Sequence, residues 1–165
     1  MPIKGYNFAP SVFLSELLTQ CNVATECDRR LRDAAPTWLH NATSEQLANQ
    51  RAPRDIMSDC IAFLSSAAVI SKMLFAGRRK SNSAVQRCKR LRELLTLEDD
   101  ALPSLRKLAV GNSFEHNRRF DPRHLTISFL GETISLPDYM AEVEKVSDHL
   151  DQAFTKLAGP EFRLW

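Results

Sequence analysis

The chain has 165 residues, a net charge of +2, 44% hydrophobic and 25% charged residues, the profile of one folded domain, 1–165, with a full core. Its 5 glycines exclude a turn-rich all-β fold, and no GxGxxG or GxxxxGK[ST] spacing exists for a glycine-rich phosphate loop. The cysteines Cys21, Cys27, Cys60 and Cys88 lack CxxC spacing and fall on apolar helical positions, as buried thiols in a reducing cytosol would. The first residues do not read as a signal peptide, and no apolar run approaches the ~18 residues that span a membrane. The expectation is a cytoplasmic protein with no membrane partner.

In chain order, the first predicted helix runs from Ser11 to about Ala34. Phe13, Leu14, Leu17, Leu18, Cys21, Ala24 and Leu31 form its apolar stripe, and Asp28, Arg29, Arg30 and Arg32 its other side. Pro36 is expected to end it. Residues 36–53 read as a loop with a helical turn near Ser44–Leu47. A second helix, about Arg54 to Phe75, is apolar around most of its circumference, which suits the centre of a bundle or an oligomer interface. Its Ser65-Ser66-Ala67-Ala68 run would let a neighbouring helix approach closely.

Gly77 closes that helix and a basic stretch follows, with Arg78, Arg79, Lys80, Arg87, Lys89, Arg90 and Arg92 and no acid. It reads either as a nucleic-acid-binding face or as a solvated helix face. Ser83 caps a third helix to about Leu97. Glu98-Asp99-Asp100 then precedes a fourth, about Leu102 to Arg119, which Asp121-Pro122 stops. Residues 124–136 are β-branched and alternating, a short extended segment near 124–131 with no evident partner strand. A last helix spans about Asp138 to Leu157, with Met140, Val143, Val146 and Leu150 inward. The expected fold is all-α, an up-and-down bundle of about five helices.

The fourth helix holds the chemistry. Its stripe of Leu102, Leu105, Leu108 and Ala109 continues as Asn112 and His116, about 40° and roughly 6 Å apart on an ideal helix. An amide and an imidazole on an apolar face are either well hydrogen-bonded or functional. Arg106, Arg118, Arg119 and Arg123 surround them, and guanidinium groups bind phosphate in a bidentate way. A histidine near a helix end can take the proton of a ribose 2′-hydroxyl while arginine stabilises the charged phosphate. The alternative is a histidine hydrogen-bonded within the bundle. His40 and His149 have no acids or cysteines at ligand spacing, so no metal and no cofactor are expected.

Gly111-Asn112-Ser113-Phe114-Glu115-His116-Asn117-Arg118-Arg119-Phe120-Asp121 resembles the motif of the HEPN-domain family, whose phrase reads Arg-Asn-x-x-x-His. Asn112, Glu115 and His116 match in place. The apolar Ser65–Phe75 helix and the basic Arg90-Leu91-Arg92 helix are similar to the helices preceding that motif, and the resemblance covers residues 10–123. It implies a small HEPN-like bundle that forms a homodimer, with metal-independent endoribonuclease activity and, in many members, a defence or toxin role beside an antitoxin or immunity partner. His116 would be the general acid/base, Asn112 would orient it or the phosphate, and Arg118, Arg123, Arg90 and Arg92 would hold RNA.

The motif arginine is replaced by Gly111. Losing such a donor typically costs ~10²–10³ in rate. Three readings follow: a non-catalytic relative, a disabling change at this position, or substitution by another arginine. Arg119, three residues beyond His116 on the same predicted stripe, is the best substitute. A literal Arg-x4-His also runs from Arg119 to His124, but Pro122 interrupts it, so it reads as a decoy. The alternative function is a non-catalytic dimeric bundle that binds protein or nucleic acid. A DNA-binding regulator is the weaker third reading, because no short helix-turn-helix is evident.

Overall fold

An uninterrupted apolar stripe holds the first helix, α1 (Pro10–Asn41), against the rest of the molecule: Phe13, Leu14, Leu17, Cys21, Ala24 and Leu31 are all buried. The structure, a computed structural model, describes residues 10–50, 52–77, 101–110, 119–129 and 132–155. In these, α1 is followed by a short α2 (Ser44–Asn49), α3 (Arg54–Gly77), α4 (Pro103–Val110), strands β1 (Arg119–Asp121), β2 (Thr126–Phe129) and β3 (Glu132–Ser135), and α5 (Leu136–Thr155). The predicted third helix over 83–97 lies outside the described residues. The described chain is mostly helical, as expected, and adds one small three-stranded sheet that the all-α expectation did not include.

α1 does not stop before Pro36. The helix continues to Asn41 with Pro36 inside it and exposed. A mid-helix proline costs ~3 kcal/mol or more, yet Ala35 and Trp38 on either side of it are buried. Burying a large apolar side chain stabilises by about 1.5–3 kcal/mol, so core contacts beyond the proline offset the break. The exposed ring directs the missing backbone bond toward water.

α1 and α3 form the largest helix pair, and α4 and α5 close the core against them. α3 supplies Phe63, Leu64, Ala67, Ile70 and Leu74 to the centre, and Ser66, Ala67 and Ala68 are buried as the small-residue run requires. Burial of α3 is not complete all round, because Ile61 and Phe75 are exposed. By length and composition, one helical stretch among the described residues, that containing α3, is apolar enough to cross a membrane, and 50% of its apolar window is buried inside the fold. Cys21, Cys27 and Cys60 are buried, and Cys88 lies outside the described residues. Burial, reinforced by the charge of Asp151, pushes the Cys21 thiol up to about 12, so it carries almost no reactive thiolate near neutral pH.

The segment expected to lack a partner strand is the middle of an antiparallel sheet, ordered β1-β2-β3. Its register sets Phe120 beside Ile127 and Ile127 beside Ile134, and all three are buried. The Trp38 and Phe120 rings lie 6.3 Å apart with planes tilted by 33°. Phe120 also donates its N–H to the Gln50 carbonyl at 3.0 Å, and Leu136 donates to the Leu125 carbonyl at 3.0 Å. The sheet is thereby fixed where the ends of α1 and α2 meet the start of α5.

Candidate nucleic-acid interface

Strand alternation sends one face of the sheet inward and the other outward. With Phe120, Ile127 and Ile134 in the core, the outward face carries Arg119, Asp121, Thr126, Ser128, Thr133 and Ser135. Arg119 stands opposite Ser128, which stands opposite Thr133; Asp121 stands opposite Thr126, which stands opposite Ser135. The Ser128 and Thr133 hydroxyls are 3.1 Å apart. This is a surface of one arginine, one carboxylate and four hydroxyls, and such groups contact phosphate and sugar.

The turn after β1 adds Arg123 and His124. Asp121 Oδ1 accepts the Arg123 N–H at 2.9 Å, and Asp121 Oδ2 lies 2.7 Å from His124 Nδ1. Partial burial pushes the Asp121 carboxyl up, but the hydrogen bonds from His124 and from the Arg123 backbone outweigh it and hold the group below the ordinary range. Leu125, with φ of 51°, takes the left-handed conformation that a bulky residue adopts only when its surroundings hold it. The bond from Leu136 to the Leu125 carbonyl supplies that restraint.

Exposed arginines that pair with no acid among the described residues distinguish this surface from the basic side of α1. Arg29 is bound to Glu26 and Asp33, Arg30 to Glu26 and Asp59, and Arg32 to Asp28. Their charge is compensated within the protein. Asp28 itself, expected on the exposed side, is buried, and its Oδ1 has no hydrogen-bond partner. Arg119 and Arg123 are exposed, and no ion pair among the described residues engages either side chain.

The predicted site divides accordingly. Asn112, His116, Arg118, Arg90 and Arg92, with Gly111, lie outside the described residues. Arg119 is the first residue of β1, so it does not extend a helical stripe from His116, and the argument for it as a helical substitute for the motif arginine fails. Strand pairing with Ser128 overrides the helical periodicity that Phe120 and Asp121 do not continue. Arg119 and Arg123 flank Asp121, one at the start of β1 and the other in the turn that follows it. In the chain, the eight residues that carry Asn112 and His116 join Val110 of α4 to Arg119 of β1.

The start of α4 is held from another helix. Leu102 precedes Pro103 and has no side-chain acceptor, so the first turn has no cap of its own. Glu142 of α5, itself buried, supplies one: Oε1 accepts the Ser104 N–H at 2.8 Å and Oε2 accepts the Leu105 N–H at 2.6 Å. Lys145 Nζ reaches the Ala101 carbonyl at 3.3 Å. A carboxylate at a helix N-terminus also complements the helix dipole. Sequence reasoning missed Glu142, although a helix start without Ser, Thr, Asp or Asn signals that a cap must come from elsewhere. It also missed the Asp121–His124 pair, because a helical motif was sought there.

Among the described residues no group of His, Cys, Asp and Glu is arranged to hold a metal ion. No family model, curated protein or solved structure matches this chain.

Proposed function

We propose that the protein is RNA-directed, with the outward sheet face and its turn as the surface that meets the phosphate backbone. The observation that carries this is the pair of exposed arginines, Arg119 and Arg123, without carboxylate partners among the described residues, beside a row of hydroxyls. The motif resemblance supports the same reading, since Asn112 and His116 immediately precede that face in the chain. On the HEPN reading the chain is a bundle of about five helices, a homodimer in the reducing cytoplasm, and a metal-independent endoribonuclease with His116 as general acid/base and Asn112 orienting. An antitoxin or immunity protein is the further partner this reading implies. Arg119 then serves to hold phosphate from the sheet, with Arg123, Arg118, Arg90 and Arg92 as further backbone contacts.

Binding of labelled single-stranded RNA, measured by anisotropy across a salt series, tests the reading. Removing both described arginines, as Arg119→Ala with Arg123→Ala, is expected to weaken binding and flatten the log–log salt slope by about 1.4, at ~0.7 per phosphate contact on a single strand. Restoring the motif as Gly111→Arg is expected to raise RNA cleavage in chelator by ~10²–10³. No RNA binding by the unmodified protein overturns the proposal. No cleavage by either form removes its enzymatic half.

A second reading is the non-catalytic dimeric bundle, favoured by the exposure of Ile61 at 40% and Phe75 at 56% on the core helix α3. Ile61 and Phe75 are separated by four turns and fall on one face with Ser65 and Lys72. A second copy crossing at the small Ser65 would present the same face, as a two-fold contact requires. Sedimentation should then show a dimer that Ile61→Asp converts to monomer; a monomeric unmodified protein rejects this reading.

A further inference from the structure

We infer that Asp121 and His124 form a proton-transfer pair, with His124 Nε2 as the acceptor for a ribose 2′-hydroxyl of RNA lying on the sheet face. The inference rests on the RNA reading above and departs from its motif half, moving the base from His116 to a residue outside the resembling motif. Three observations carry it. The 2.7 Å contact joins a carboxylate to Nδ1; an ionised carboxylate only accepts, so Nδ1 must donate, which leaves Nε2 bare in the neutral ring. The carboxylate is fixed from its other side by the Arg123 N–H, and the turn is pinned through Leu125 to the start of α5. The imidazole is open to solvent, with its side chain 73% exposed.

The Arg123 N–H bond closes a turn on Asp121, while the exposed contact to His124 adds little to stability. Its surroundings fit the chemistry. Arg119 lies two residues from Asp121 on the same strand face, about 7 Å along the backbone, and Arg123 is adjacent to His124. Both guanidinium groups are exposed and pair with no acid among the described residues, so they can neutralise a phosphate and the charge that grows on it.

The step balances with substrate and solvent alone. His124 Nε2 takes the 2′-hydroxyl proton as the 2′-oxygen bonds to phosphorus. The bond from phosphorus to the 5′-oxygen breaks, and that oxygen takes a proton from solvent. The imidazolium returns its proton to solvent, leaving a 2′,3′-cyclic phosphate and a 5′-hydroxyl.

The test uses the full chain, a labelled single-stranded RNA, its all-deoxy counterpart, and chelator throughout. Binding is read by anisotropy, and cleavage by gel and end-group analysis. The expected result is cleavage of RNA only, to cyclic-phosphate ends, with a rate loss of ~10²–10⁴ in His124→Gln, the range for a general base. RNA affinity and the thermal midpoint should stay near those of the unmodified protein in that variant. Asp121→Asn should also lower the rate, and a failure of that variant to fold leaves His124→Gln as the deciding measurement. Cleavage that survives His124→Gln but is lost in His116→Ala overturns the pair and leaves the RNA reading intact. RNA bound without cleavage also overturns it, and no RNA binding overturns both.

Discussion

Replacing Glu142 by alanine is expected to destabilise the protein by about 3–5 kcal/mol, because two hydrogen bonds to a charged group vanish together. The Ser104 and Leu105 N–H groups would then face the interior without an acceptor, and Leu102 and Pro103 have nothing to offer in place of Glu142. For a chain of this length the loss corresponds to a fall in Tm of roughly 6–20 °C. Glu142→Gln keeps one carbonyl acceptor and should lose about half as much. Circular dichroism melting and urea titration of the two variants measure both values. A loss under about 1 kcal/mol in Glu142→Ala would show that water reaches these N–H groups and that the cap is not needed. The same change should disturb the candidate site, since α4 leads directly into the residues that carry Asn112 and His116.

Phe120→Ala is the second large effect, at about 3–5 kcal/mol, the usual range for emptying a buried phenyl site. Phe120 is fully buried, stacks at a tilt on Trp38, and sits between Arg119 and Asp121 on β1. Its loss should therefore lower stability and RNA affinity together, although the ring points away from the outward face. Phe120→Leu fills much of the space and should recover most of both. Urea unfolding gives the first quantity and anisotropy with labelled RNA the second. Full RNA affinity in a destabilised but folded Phe120→Ala would disconnect the sheet from binding.

The two effects mark where the sequence was readable. Periodicity was sufficient for α1, α3 and α5, because long stripes such as Phe13–Leu31 and Met140–Leu150 bury one continuous face. It failed at Pro36, where local geometry argued for a stop and the burial of Trp38 decided otherwise. It failed again at β1. Arg119 and Phe120 follow a stretch whose sequence suggests a helix, and only pairing with Ser128 and Ile127 reveals the strand. The hairpin was legible and overlooked: Thr126-Ile127-Ser128 and Thr133-Ile134-Ser135 repeat one alternating phrase on either side of Gly131 in the sequence.

The candidate site was legible in part. The arginines near the motif stood out as candidate phosphate ligands by residue type. Ion pairing sorts the described ones, since Arg29, Arg30 and Arg32 are compensated by acids while no acid among the described residues pairs with Arg119 or Arg123. The Asp121–His124 contact needs a turn at Pro122, the very residue that argues against a helical motif there.

By itself the sequence determined the amphipathic helices α1, α3 and α5 and the burial of Cys21, Cys27 and Cys60, because each depends on local spacing and composition. The tertiary structure decided the passage of α1 through Pro36, the cap that α5 lends to α4, and the sheet that turns Arg119 outward. Each of these depends on contacts between residues far apart in the chain, whose burial and hydrogen bonding outweigh the local preferences that a sequence displays.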